Sequence, residues 1–124
     1  THAERVLVAG DAAGLVSPLS GEGIAPAMVS GELAAAHALR ALEAGDFSAQ
    51  ALAPYSRALE TRYAADQRAA RILRLALNRP HLLNRIFGKL QRDEALALLI
   101  GHIILGHKSP RLALRPGTLL QLLT

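Results

Sequence analysis

Two short clusters in the first quarter of the chain carry the residue types and spacing that chemistry needs. Gly10-Asp11 ends an apolar run, and Gly21-Glu22-Gly23 opens an Ala-rich one. An aspartate at the C-terminal end of a strand is placed to accept hydrogen bonds from sugar-like hydroxyls. Glycines at a helix start let main-chain N–H groups and the positive end of the helix dipole face an electron-rich ligand. This is binding chemistry. No residue here is a convincing acid–base catalyst. Glu22 is the carboxylate inside the glycine cluster, and a geometric role suits it as well as proton donation.

The flanking elements must position these residues. Val6 to Ala9 reads as a short buried strand, followed by a small-residue loop. A first helix is expected from about Gly23 to Ala44, with Pro26 in its first turn and Gly45 as its C-cap. Met28, Leu33, Leu39 and Leu42 are its apolar anchors, while Ser30, Gly31 and Ala34 to Ala36 permit close approach of another backbone. A second helix, capped by Ser48, reaches about Leu77, with a bend expected near Pro54. Tyr55, Leu59, Tyr63, Ala70, Leu73 and Leu77 fall on one of its faces, and Arg57, Glu60, Arg68 and Arg71 on the other. Asp66 lies inside the apolar stripe, where an i,i+4 pair with Arg62 accounts for it. Pro80 to Leu90 and Glu94 to about Leu105 give two more helices, the latter capped by Asp93. His102 and His107 are five apart, a spacing that does not share a helix face, and read as structural or surface histidines. Lys108 to Pro110 and Arg115 to Gly117 read as loops, and Thr118 to Leu123 as a short terminal helix.

The chain has 124 residues, 51% apolar and 19% charged, which supports a folded core and excludes a disordered segment. Aromatics are scarce, so Leu and Ala fill the core and favour helices. There is no cysteine, hence no disulfide, thiolate nucleophile or thiolate metal site, and His37 has no partner at metal spacing. A cytoplasmic location fits, with membrane association left open by the net charge of +4 and the arginine run at 57, 62, 68, 71 and 74. A solvated face explains that run most simply, and nucleic acid is not expected as a partner. Ala95 to Leu105 is too short to span a bilayer.

Gly10-Asp11-Ala12-Ala13-Gly14 and Pro18-Leu19-Ser20-Gly21-Glu22-Gly23-Ile24 together resemble the second flavin-binding segment of FAD-dependent oxidoreductases, and within them the geranylgeranyl reductase family. Aromatic hydroxylases share the Gly-Asp pair but usually carry His where Gly14 stands. The resemblance continues more faintly through Gly45-Asp46, Tyr55 to Arg62, the Asn78-Arg79-Pro80 break and Gly106 to Pro110. It implies an FAD site. Asp11 of the Gly10-Asp11-Ala12 turn would hold the ribityl chain. Pro18 and the amides around Gly21, Glu22, Gly23 and Ile24 would lie along the isoalloxazine. It implies no catalytic side chain and no metal ligand in this chain.

On this resemblance the fold class is a mostly α fragment, one short strand plus about five helices, forming the C-terminal part of an α/β Rossmann-like flavoprotein. Residues 1–47 would be the second FAD-binding segment and 48–124 a C-terminal helical region. No G-x-G-x-x-G fingerprint is present. A lone strand cannot make a sheet, so Val6 to Ala9 is expected to pair outside the chain or to lie isolated, and a missing N-terminal Rossmann half is the implied partner. The implied activity is reduction of carbon–carbon double bonds in a polyprenyl or other apolar substrate. Flavin monooxygenation, electron transfer to a quinone, and a cofactor-free basic helical module that binds a partner remain as alternatives.

Overall fold

The structure, a computed structural model, describes residues 1–123. It is mostly helical, with five α-helices and a two-stranded sheet. The strands are β1 (His2–Ala3) and β2 (Val6–Leu7), antiparallel, with His2 opposite Leu7 and Ala3 opposite Val6. The helices are α1 (Ile24–Ala44), α2 (Ala49–Leu77), α3 (Pro80–Leu90), α4 (Glu94–Ile104) and α5 (Pro116–Leu123). Short 3-10 helices cover Gly10–Ala13 and Pro110–Leu114. The chain divides into two compact units, residues 1–16 with 22–64, and residues 17–21 with 65–124.

Local chemistry sets the helix ends. The αL conformation of Gly45, at φ 65°, closes α1, where its N–H bonds the Ala41 and Leu42 carbonyls. Ser48 accepts from the Ala51 N–H at 3.2 Å and starts α2. Pro54 sits inside α2 and is exposed. Asp93 accepts from the Leu96 N–H at 2.9 Å and starts α4. Pro116, expected in a loop, opens α5 instead, because its fixed φ suits a first helical turn.

In the first unit Leu15, Tyr55 and Leu59 form the core, with Leu7, Ala13, Leu33, Ala34 and Tyr63 packed around them. Two expectations fail here. Val6 is exposed and Leu7 to Ala9 are only half-buried, so the apolar run is not a buried strand. Nor is it isolated: the Glu4-Arg5 turn folds the first residues back to pair with it. Arg5 adopts φ 60° to make that turn, donates its N–H to Phe47 O at 2.9 Å and sets its guanidinium over the Phe47 ring. Of the expected α1 anchors, Leu33 packs on this core and the others do not. Ser30 and Ala41 are buried, while Ile24, Met28, Leu39 and Leu42 project outward, Met28 being 72% exposed. Small side chains at Ser30 and Ala41 let the helix come close to its neighbours there.

In the second unit Ala69, Ala70, Leu96, Ile103, Ala113 and Leu122 are buried. Helix α5 packs on α3 and on the Pro110–Leu114 helix, which also receives α4. Asp66 is paired here, but not with Arg62. It accepts from the Ser109 hydroxyl and from Arg111 Nε, each at 2.7 Å. The stripe that holds Asp66 faces the turn after α4, and that turn supplies nearer donors than its own helix does.

Candidate functional site

The first cluster is built by three hydrogen bonds, one buried and two part-buried. Gly10 is buried at φ 59°, and its N–H donates to Ser30 Oγ at 2.8 Å. A Cβ at Gly10 would lie 3.1 Å from the Ala27 Cβ, so only glycine fits this backbone against α1. Ser30 Oγ in turn donates to Ala27 O at 3.1 Å. The Tyr55 hydroxyl donates to Val8 O at 2.9 Å, just before Gly10. Burial pushes the Tyr55 phenol above its ordinary pKa, so it stays a donor. Neither Ser30 nor Tyr55 was expected to carry this role. The signal in the sequence is a serine within an Ala-rich helix face and a tyrosine in an apolar stripe, each polar atom requiring a buried partner.

Asp11 and Ala12 follow in the 3-10 helix and are exposed. The Asp11 side chain lies against the start of α1: a Cβ on Gly23 would come 2.7 Å from Asp11 Oδ1 and 3.2 Å from Val16 Cγ2. Gly23 is the N-cap of α1 and offers no side-chain cap. Ile24, the first helical residue, is exposed, and its N–H has no intrahelical acceptor by geometry. The Glu22 carboxylate accepts from the Ala25 N–H at 2.9 Å. That is a capping contact, which gives Glu22 a geometric role. A hydroxyl acceptor, Asp11, and the amide end of a long helix thus stand side by side in the first unit.

Pro18 and Gly21 belong to the segment 17–21, grouped with the second unit. There Gly21 N–H donates to Ser17 O at 2.9 Å and Ser20 N–H to Ser17 Oγ at 3.3 Å, closing a tight turn. Gly21 spends its amide on this turn.

An open cleft of about 530 Å³ in the first unit is lined by Leu33, Arg57, Ala58, Thr61 and Arg62, none of them from the glycine clusters. All five arginines of the 57–74 run are exposed, in keeping with a solvated face. Among the described residues no three His, Asp or Glu side chains gather as a metal site, and no helix is long and apolar enough to cross a membrane.

No family model and no solved structure matches the chain. Among curated proteins, it is 35% identical over 99 residues to the digeranylgeranylglycerophospholipid reductase of Methanospirillum hungatei, covering 80% of this chain and 22% of that protein. To the protein of the same name from Methanoculleus marisnigri it is 51% identical over 55 residues, 44% of this chain and 14% of the relative. To that of Thermoplasma volcanium it is 40% identical over 58 residues, 47% and 15% respectively. The chain therefore spans about a fifth or less of the length of these relatives. Over the stretch it shares with them, the chain is similar to these geranylgeranyl reductases.

Proposed function

We propose that this chain is part of an FAD-dependent reductase of isoprenoid carbon–carbon double bonds, and that its first unit serves the ribityl and isoalloxazine side of the flavin. The carrying observation is the closeness of the Asp11 carboxylate to Gly23 at the start of α1. Bound there, the flavin supplies the hydride chemistry. The protein's part is to hold and polarise it. Asp11 accepts from ribityl hydroxyls, and the amides of Gly23 and Ile24, at the positive end of α1, favour electron-rich ring atoms. The Ser30–Gly10 and Tyr55–Val8 bonds keep the Asp11 turn seated. Gly10, Ala12 and Glu22, all of the first unit, shape the backbone around these donors. The names of the relatives support a digeranylgeranyl glycerophospholipid, or a similar polyprenyl compound, as substrate. The adenosine and pyrophosphate contacts, and a Rossmann-like half, would lie outside these 124 residues.

The test is the visible spectrum of the full-length protein, before and after added FAD. Flavin absorbance is expected. Asp11→Ala should weaken FAD binding by about tenfold or more, the value of a hydrogen bond to a charged acceptor. A full-length protein that never takes up flavin rejects the reading.

A further inference from the structure

We propose that His102 and His107 form a two-histidine site for Zn²⁺ at the C-terminal end of α4. On an unbroken helix, five residues would turn the two rings about 140° apart. Helix α4 stops at Ile104, however, and the chain folds back on itself. Gly106 adopts φ 75°, and the N–H groups of His107 and Lys108 both donate to the His102 carbonyl, at 2.8 and 3.1 Å. This closure brings the ring centroids to 5.6 Å and the two Nδ1 atoms to 3.4 Å.

That separation suits one ion. Two nitrogens each about 2.0–2.1 Å from a tetrahedral Zn²⁺ stand about 3.3–3.4 Å apart. At a square-planar ion with similar bonds they would stand about 2.8–3.0 Å apart. In the neutral pair one Nδ1–H is shared between the rings. With Zn²⁺ bound, both rings carry their proton on Nε2 and both Nδ1 lone pairs point at the metal, so no net proton leaves. Both side chains are exposed, which leaves each Nε2–H in water. The negative end of the α4 dipole favours a cation at this end. Lys108, exposed and next in sequence, is the opposing charge on this turn. Since no third His, Asp or Glu joins the pair among the described residues, the remaining positions are open to water or to a ligand group from another molecule. The bound ion would fasten the loop after α4 to its last turn.

The test is titration of the full protein with ZnCl₂ and CoCl₂ at a pH above the ordinary histidine range, read by calorimetry, histidine-ring NMR and Co²⁺ absorption. One ion per chain is expected, with ring shifts confined to His102 and His107 and a tetrahedral Co²⁺ band. His102→Ala and His107→Ala should each weaken binding by at least about tenfold, since even indirect partners of a metal cost that much. His81→Ala, at another exposed histidine, should leave binding unchanged. If either alanine variant loses its circular dichroism, the glutamine variants at the same positions replace it. Wild-type affinity in the His102 and His107 variants, an octahedral Co²⁺ spectrum, or no saturable binding would each overturn the site. None of these outcomes depends on the flavin reading.

Discussion

The Tyr55 hydroxyl donates to the Val8 carbonyl at 2.9 Å and lies 3.4 Å from the Ser30 carbonyl, so one buried phenol on α2 ties together the strand end and α1. Both Tyr55 and Ser30 are 0% exposed. Tyr55→Phe keeps the ring but strips the Val8 carbonyl of its donor. A loss of about 1–3 kcal/mol is expected for a buried group left unpaired. Urea unfolding measures it, and an unchanged midpoint would show that the hydroxyl carries no such weight.

Gly10 and Gly23 should fail in different ways. Gly10→Ala meets the Ala27 Cβ at 3.1 Å and must hold φ 59°, a left-handed strain of about 1–2 kcal/mol. Stability should drop. Gly23→Ala meets Asp11 Oδ1, the end of a side chain that can rotate away. Its stability change should stay within about 1 kcal/mol. The displaced carboxylate should nevertheless cost the full-length protein its flavin retention. Equal flavin retention in Gly23→Ala and wild type would count against Asp11 acting from this position.

His37 gives a signed pH dependence. Burial, and then the positive charge of Arg40, hold it below its ordinary value of 6.5. Its ring stands edge-on to Tyr55 at 5.9 Å. Between the lowered folded value and 6.5 the unfolded chain binds the extra proton, so stability rises with pH there. The contribution is complete above about 6.5 and fades as pH falls through that window. NMR titration of the His37 ring should find it below the ordinary histidine value, and His37→Gln should flatten the slope of stability against pH. A ring that titrates at or above the ordinary value contradicts this.

Asp66 should matter more than its ion-pair partner. Arg111 is 62% exposed, and its removal should change stability by no more than about 0.5 kcal/mol. Asp66→Ala also strips the Ser109 hydroxyl of its acceptor, and roughly 1 kcal/mol is expected. Thermal unfolding of both variants checks the order, which is reversed if the ion pair dominates.

The cap of α4 offers a local test. Asp93→Ala removes the acceptor for Leu96 N–H and should cost about 1 kcal/mol. Hydrogen exchange should quicken at the Leu96 amide before the middle of α4 responds. Unaltered exchange there would mean that the side chain does not hold this helix end.

The sequence by itself determined the ends of the first four helices that local caps set. Ser48, Asp93, Gly45 and Pro80 act within one turn of chain, so their spacing fixes where α1 to α4 begin or end, and α3 falls on Pro80–Leu90 as expected. It also carried the family motif, because Gly10-Asp11 and Gly21-Glu22-Gly23 are contiguous in the chain. Only tertiary structure decided which face of α1 is buried, since Ser30 and Ala41 or Met28 and Leu42 could equally have turned inward until Tyr55 and Gly10 chose the smaller side chains. It likewise gave β2 a partner in His2–Ala3, gave Asp66 partners 43 and 45 residues away, and brought His102 to His107 past the end of a helix. Periodicity describes one element at a time, whereas these contacts depend on which elements meet and where each one stops.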